Sequence, residues 1–95
     1  MAGEKKALRA KIEGRVQGVN FRMATAQAAD KLGVCGWVRN KADGSVEAFF
    51  EGDADRLDAM IKWCQEGPSM ARVSNVSVFE EDFTGTFIDF SVRYT

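Results

Sequence analysis

The sequence of 95 residues contains no histidine, and this absence limits its chemistry more than any other feature of the composition. Without histidine the chain cannot build a Ser-His-Asp or Cys-His catalytic site, or a metal site that depends on imidazole. Its two cysteines, Cys35 and Cys64, are far apart and form no Cys-x-x-Cys pair, so a zinc or redox motif has no support. We interpret both as inert structural thiols. A disulfide between them stays open, although a cytosolic setting argues against it.

The sequence also has no excess of charge of either sign and no long hydrophobic run. Its 13 basic and 14 acidic residues give a net charge of −1, which provides no general attraction to nucleic acid or anionic membranes. No stretch is long and apolar enough to cross a bilayer, and the N-terminus lacks the apolar core of a signal peptide. We therefore expect a cytoplasmic monomer without nucleic-acid or membrane partners. We expect a single domain over residues 1–95, in which residues 1–6 form a flexible tail.

Periodic apolar patterns divide the chain into strands and helices. Alternating apolar and polar side chains, typical of strands with one solvated face, predict five strands. Helical spacing of apolar residues occurs before Gly33 and before Gly67-Pro68, which suit helix ends. Asp53 is placed to cap the second helix, and Glu80–Asp82 with Gly85 is interpreted as a solvated turn. The first strand is predicted over Ala7–Arg15, and the apolar positions of the other four are Val34, Gly36 and Val38; Val46, Ala48 and Phe50; Val76 and Val78; and Ile88, Phe90, Val92 and Tyr94. The first helix is predicted from Phe21 to Leu32, and the second, between Asp53 and Gly67-Pro68, has the apolar stripe Leu57, Met60, Ile61 and Cys64.

The order of these elements is strand, helix, strand, strand, helix, strand, with one strand appended. This order predicts an α+β fold, a ferredoxin-like open sandwich with both helices on one face of a mainly antiparallel sheet. Lys41–Gly44 is the predicted hairpin between the second and third strands, and Gly44 suits a positive φ. The pairing of the fifth strand does not follow from the sequence.

The segment Gly14–Arg22, with the sequence GRVQGVNFR, is the clearest functional signal. A glycine-rich loop that leads into a helix frees backbone N–H groups and forms a concave site for an anion. Arg22 adds a permanent charge and a rigid fork of donors that suits phosphate. From spacing alone, Arg22 could be a solvated surface charge, and Asn40 could end a strand and begin a turn.

Three segments resemble those of acylphosphatases: Gly14–Arg22, Gly36–Asn40 (GWVRN) and Asp43–Glu47 (DGSVE). The C-terminal Phe90–Tyr94 (FSVRY) supports the resemblance, which covers nearly the whole chain from about Ala7. It implies a hydrolase that cleaves the carboxyl–phosphate bond of acyl phosphates to a carboxylate and inorganic phosphate. It also implies that the reaction needs no metal and no cofactor.

The resemblance places the catalytic residues at Arg22 and Asn40. Asn40, which is no general base, would orient a nucleophilic water while the loop and Arg22 bind phosphate. Because the chain has no histidine, we hypothesise that a phosphate oxygen of the substrate accepts the proton of that water. Asn20 occupies a position that varies in the family, so its amide gives no reason for a new role. The phosphate-binding residues implied by the resemblance are Arg15, Val16, Gln17, Gly18, Val19, Asn20, Phe21 and Arg22.

Three other classes of protein are compatible with the fold, because fold alone does not determine function. A nucleic-acid-binding module is disfavoured by the charge and by the lack of an aromatic RNA-binding strand motif. A regulatory domain would bind phosphate without turnover. A domain of a hydrogenase-maturation carbamoyltransferase is disfavoured because the zinc-finger cysteines of those proteins are missing. The identity of the natural acyl phosphate does not follow from the sequence.

Overall fold

The structure is a computed structural model that describes residues 4–94. Its strands form one sheet with the order β4-β1-β3-β2-β5, in which all neighbours are antiparallel except β2 and β5, which are parallel. The predicted layers and element order are therefore confirmed, and the appended strand lies at the edge beside β2. The elements are β1 (Lys5–Arg15), α1 (Phe21–Leu32), β2 (Cys35–Asn40), β3 (Val46–Asp53), α2 (Ala54–Glu66), β4 (Arg72–Glu81) and β5 (Phe90–Arg93).

The hydrophobic core lies between the two helices and one face of the sheet. α1 packs on β2 and β5, α2 packs on β1, β3 and β4, and the helices contact each other. The strand alternation predicted from the sequence is confirmed in the central strands, where every second side chain is buried among apolar neighbours. These inward-facing residues are Leu8, Ala10 and Ile12 in β1 and Val46, Ala48 and Phe50 in β3.

The structure corrects three predicted boundaries. Lys5 and Lys6, which were assigned to a flexible tail, belong to β1 and lie opposite Asp53 and Gly52 of β3. Residues 1–3 of that tail lie outside the described part of the chain. Glu80 and Glu81 continue β4 and do not begin a turn, because β1 is long enough to pair with them. At the other end of the connection, β5 begins at Phe90, so Ile88 precedes the strand and is 93% exposed.

Asp53 precedes α2 as predicted, but its side chain does not cap the helix in the described structure. Its carboxylate accepts a hydrogen bond of 2.6 Å from Lys5 Nζ instead. This contact lowers the pKa of the Asp53 carboxyl. The ammonium group of Lys5 and the N–H groups of α2 compete for this carboxylate. Lys5 is favoured because the pairing of β1 with β3 places it opposite Asp53.

The connection between β4 and β5, residues 82–89, passes from one edge of the sheet to the other. It contacts the face opposite the helices, where Glu51 is only 3% exposed. Glu51 Oε2 accepts hydrogen bonds from the N–H (2.7 Å) and hydroxyl (2.9 Å) of Thr84, and Oε1 accepts one from Gly85 N–H (3.1 Å). The ring centroids of Phe49 and Phe87 are 5.5 Å apart beside them. The connection is thus held by one fully satisfied carboxylate.

Both cysteines are free thiols, so the disulfide that the sequence left open is not formed. Cys64 is buried in α2, and its burial raises the pKa of the thiol to about 12. A thiol with so high a pKa is protonated at neutral pH and chemically inert, which supports the structural interpretation of Cys64. Cys35 is half-buried in β2.

Candidate active site

The end of β1 and the loop that joins it to α1 are shaped by residues that adopt positive φ angles. Gly14 has φ 124° where the β1–β4 register shifts, and a Cβ at this position would lie 2.1 Å from the carbonyl oxygen of Arg72. Gly18 has φ 75°, and Asn20, directly before α1, has φ 65°. A left-handed conformation is uncommon for a residue other than glycine, although asparagine tolerates it better than most. These angles turn the chain sharply into α1.

The N-terminus of α1 offers its backbone N–H groups to the loop side of the molecule. Asn20 makes no side-chain cap hydrogen bond, and the first turn of this described helix contains no acidic residue. The first N–H groups of a helix have no partner within the helix, and together with the helix dipole they attract an anion. Arg22 lies in the same first turn, where the dipole disfavours a cation. A bound anion would relieve this electrostatic conflict.

The end of β5 and Tyr94, which follows it, orient the side chain of Arg22. Its Nη1 donates a hydrogen bond of 3.3 Å to the carbonyl oxygen of Arg93, and its guanidinium carbon lies 4.5 Å from the ring centroid of Tyr94. Both contacts depend on the parallel pairing of β5 with β2, which aligns Arg39 with Arg93. Exposed cation–π contacts are weak, worth about 0.5–1 kcal/mol. Their role here is to limit the directions in which the guanidinium can point.

Asn40 is the last residue of β2 and lies opposite Val46. Its side-chain oxygen, Oδ1, is buried and has no hydrogen-bond partner among the described residues. A buried polar atom without a partner costs about 1–3 kcal/mol, so such atoms are rare and often functional. The amide therefore keeps a strong acceptor at the end of β2, beside the N-terminus of α1.

One cavity of about 170 Å³ joins these elements. Arg22 is the charged residue in its described lining, which contains no carboxylate, so the cavity favours an anion. Arg22 and Asn40, the two predicted catalytic residues, both line it. The lining residues are Val16, Gly18, Asn20, Phe21, Arg22, Met23, Asn40, Val92 and Tyr94.

Three residues of the predicted phosphate-binding loop do not line this cavity. Arg15 ends β1 opposite Arg72 and is exposed, whereas Val19 is buried in the hydrophobic core. Gln17 directs its side chain to the β2–β3 hairpin. Their part in phosphate binding stays a prediction.

The sequence analysis gave no site role to three residues that line the cavity, Met23, Val92 and Tyr94. The alternation from Phe90 to Tyr94 predicted a strand but did not show that this strand pairs with β2, and this pairing brings Val92 and Tyr94 to the cavity.

The predicted hairpin at Lys41–Gly44 is confirmed, with φ 92° at Gly44. Lys41 N–H donates to the carbonyl oxygen of Ser45 at 2.8 Å. Asp43 Oδ1 accepts hydrogen bonds from the N–H (2.9 Å) and hydroxyl (2.6 Å) of Ser45, and Lys11 Nζ lies 3.2 Å from Asp43 Oδ2. The hydrogen bonds from Ser45, reinforced by Lys11, lower the pKa of the Asp43 carboxyl. The hairpin after Asn40 is therefore held by its own contacts.

Neither a metal centre nor a membrane helix is found in the described residues. Within residues 4–94, no group of three or more His, Cys, Asp or Glu side chains is placed to hold a metal ion. No helix in the same range is long and apolar enough to span a bilayer. Metal independence and a cytoplasmic location both stay predictions.

Fold and cavity together define an α+β domain with an anion-attracting site at the N-terminus of its first helix. The family model for acylphosphatase matches residues 8–92. An acylphosphatase of Syntrophobacter fumaroxidans is 54% identical over 83 residues, which make up 87% of this chain and 86% of that relative. The crystal structure of the acylphosphatase from Bacillus subtilis matches with a TM-score of 0.90 and 35% identity, covering 94% of this chain and 99% of that one. The chain belongs to the acylphosphatase family, and its ferredoxin-like fold is confirmed.

A larger protein contains a similar domain. The crystal structure of full-length HypF in the phosphate- and nucleotide-bound form matches 98% of this chain with a TM-score of 0.83 and 25% identity. The match covers 12% of the HypF chain. The chain thus matches a small acylphosphatase over most of that protein's length, but only a small part of HypF. Its action as a stand-alone enzyme stays a prediction.

Proposed function

We propose that this protein is a metal-independent acylphosphatase that hydrolyses acyl phosphates to a carboxylate and inorganic phosphate. Family and fold support acylphosphatase activity. In our proposal the Arg15–Phe21 loop and Arg22 bind the phosphate, and Asn40 orients the attacking water. The protein would act as a cytoplasmic monomer without a cofactor.

The observation that carries the water-positioning role is the unpartnered oxygen of Asn40. Oδ1 is buried and has no hydrogen-bond partner within residues 4–94, and Asn40 lines the same cavity as Arg22. A carboxamide oxygen accepts a hydrogen bond from the O–H of a water and thereby directs a lone pair of that water elsewhere. We place the substrate's phosphorus in that direction. This arrangement would compensate for the energetic cost of the unpaired oxygen when substrate and water are bound.

The phosphate would be held by charge and by backbone donors. Phosphoryl transfer needs neutralisation of the nonbridging oxygens and an in-line nucleophile. The N–H groups at the start of α1 and the guanidinium of Arg22 would supply the first requirement. The contacts of Arg22 with Arg93 O and Tyr94 support this role, because they hold the guanidinium before substrate arrives.

The proposed reaction needs no acid to expel the leaving group. The oxygen of the water forms a bond to phosphorus while the bond between phosphorus and the acyl oxygen breaks. The electron pair of the broken bond leaves with the carboxylate, which is a weak base and a good leaving group. The proton of the water passes to a phosphate oxygen, so the products are a carboxylate and inorganic phosphate. This substrate-assisted transfer suits a cavity whose described lining contains neither carboxylate nor histidine.

The test is hydrolysis of benzoyl phosphate by the purified protein, followed by the loss of its ultraviolet absorbance. We expect turnover that is unchanged after prolonged EDTA treatment and dialysis. Phosphate binding without turnover would instead indicate a regulatory ligand-binding domain. Loss of activity with EDTA, restored by one divalent ion, would contradict metal independence.

A further inference from the structure

Gln17 lies within the predicted phosphate-binding loop, but its side chain serves another part of the molecule. Its Nε2 donates hydrogen bonds of 2.8 Å to the carbonyl oxygen of Lys41 and 2.9 Å to that of Ser45. The side chain is half-buried and does not line the cavity that contains Arg22 and Asn40. One amide nitrogen thus uses both of its hydrogens to connect two loops that are distant in the sequence.

The two acceptors of Gln17 flank the turn that directly follows Asn40. Lys41 is the next residue after Asn40, and Ser45 precedes Val46, the residue opposite Asn40 in β3. Each carbonyl also has an acceptor role within the hairpin. Lys41 O accepts from Gly44 N–H at 3.1 Å, and Ser45 O accepts from Lys41 N–H at 2.8 Å. The hairpin therefore keeps its own hydrogen bonds when Gln17 is changed.

Gln17 joins the loop directly to the hairpin, which is otherwise held by the pairing of β3 with β1 and by the ion pair between Lys11 and Asp43. The β1–β3 pairing ends at Ile12 and Val46, before the loop begins, so the Gln17 hydrogen bonds fix the hairpin next to the loop itself. Val16 and Gly18, on either side of Gln17 in the sequence, line that cavity. A shift between the two segments would change the distance from Asn40 Oδ1 to a phosphate bound at the loop.

We propose that Gln17 is a positioning residue that sets the distance between the phosphate-binding loop and Asn40. Its side chain acts through the backbone carbonyls of Lys41 and Ser45 and does not contact the substrate, whereas its backbone belongs to the phosphate-binding loop. This inference rests on the proposed function, because it assigns Gln17 to the alignment of the water with the phosphate. A misplacement of about 1 Å can cost about 100-fold in rate, even when binding is retained.

The experiment compares Gln17→Met and Gln17→Glu with wild type in benzoyl phosphate hydrolysis. Methionine keeps the length of the side chain and removes both donors. Glutamate keeps its shape but cannot donate when ionised. We expect both variants to lose roughly 10- to 100-fold in kcat. For Gln17→Met we expect the inhibition constant of inorganic phosphate to change by less than about 3-fold, because the loop N–H groups and Arg22 remain. Gln17→Glu adds a negative charge to the loop, so only its kcat is compared. Gln65→Met, an exposed change on α2, is the matched control and should leave both constants unaltered.

The outcomes separate this inference from the proposed function. Absence of turnover in wild type would refute the proposed function, whereas the variants test Gln17 only against an active wild type. A variant that melts earlier but keeps wild-type kcat would show that Gln17 serves stability alone. Phosphate affinity that falls as much as kcat in Gln17→Met would make Gln17 a phosphate ligand. Failure of both variants to fold would also overturn the proposal, since the hairpin has its own hydrogen bonds.

Discussion

Two buried polar groups, one on each face of the sheet, differ in whether they have hydrogen-bond partners. Glu51 lies under the β4–β5 connection and accepts three hydrogen bonds, from the N–H and hydroxyl of Thr84 and from the N–H of Gly85. Asn40 lies at the end of the neighbouring strand β2, and its Oδ1 accepts none within the described residues. Glu51 carries a charge and Asn40 does not, so the group with the larger desolvation cost is the one that the protein satisfies.

The difference agrees with the roles that we propose for the two regions. A fully satisfied buried carboxylate stabilises the fold by fixing a connection that otherwise has no regular structure. An unsatisfied amide lowers stability, and such a cost is typical of positions that function demands. The first turn of α1 shows the same pattern, with Asn20 at φ 65° and Arg22 at the positive end of the helix dipole. Unfavourable features thus gather around one cavity.

The largest effect is expected from Asn40→Ala. Since positioning a reactant is worth up to about 7–11 kcal/mol, kcat should fall about 1,000-fold or more. The thermal midpoint should stay the same or rise, because the substitution removes a buried acceptor that has no partner. Inhibition by inorganic phosphate should change much less than kcat. Steady-state kinetics and thermal denaturation, with exposed Asn75→Ala as the control, measure all three. Normal kcat in a protein that melts earlier would give Asn40 the same structural role as Glu51.

Arg22→Ala should have the next largest effect. Loss of a comparable electrostatic donor costs roughly 100- to 1,000-fold in rate, and phosphate inhibition should weaken as well. Arg22→Lys should rescue poorly, because an ammonium cannot reproduce the planar fork of donors. Arg56→Ala is a matched control. Arg56 lies on α2, and its Nη1 also donates a hydrogen bond to a backbone carbonyl, that of Leu32, at 2.9 Å. Activity of Arg22→Ala close to that of Arg56→Ala would remove Arg22 from the site.

Glu51→Gln should have the smallest effect on activity and a clear effect on stability. Glu51 accepts hydrogen bonds from three donor groups. The NH₂ group of a glutamine would face at least one of these donors, and two donors cannot form a hydrogen bond with each other. We expect the free energy of unfolding to fall by about 1–3 kcal/mol, measured by urea denaturation, with kcat within about 2-fold of wild type. Glu66→Gln, an exposed change at the end of α2, is the control. A folded Glu51→Gln variant with a large loss of kcat would show that the connection and β5 control the site.

Much of the fold could be predicted because it follows from local patterns. The alternation in β1 and β3 predicted which of their side chains enter the hydrophobic core, and the end of α1 at Gly33 is confirmed with φ 69°. The errors occurred where a contact from elsewhere in the chain overrides a local preference. Asp53 was predicted to cap α2, but Lys5 binds its carboxylate. Glu80 and Glu81 have charged side chains typical of a turn, but pairing with β1 keeps them in a strand.

The sequence by itself determined the number, type and order of the strands and helices and the glycine-rich loop before α1, because side-chain periodicity and glycine geometry act over a few residues. Its resemblance to acylphosphatases named Arg22 and Asn40 as the candidate pair. Only the tertiary structure decided that β5 lies parallel to β2 and brings Arg93 O to Arg22, although 71 positions separate them. It also decided that Gln17 binds Lys41 and Ser45, and that Asn40 Oδ1 is buried without a partner. Such contacts depend on how all layers pack together, because local preferences say nothing about which distant groups will meet.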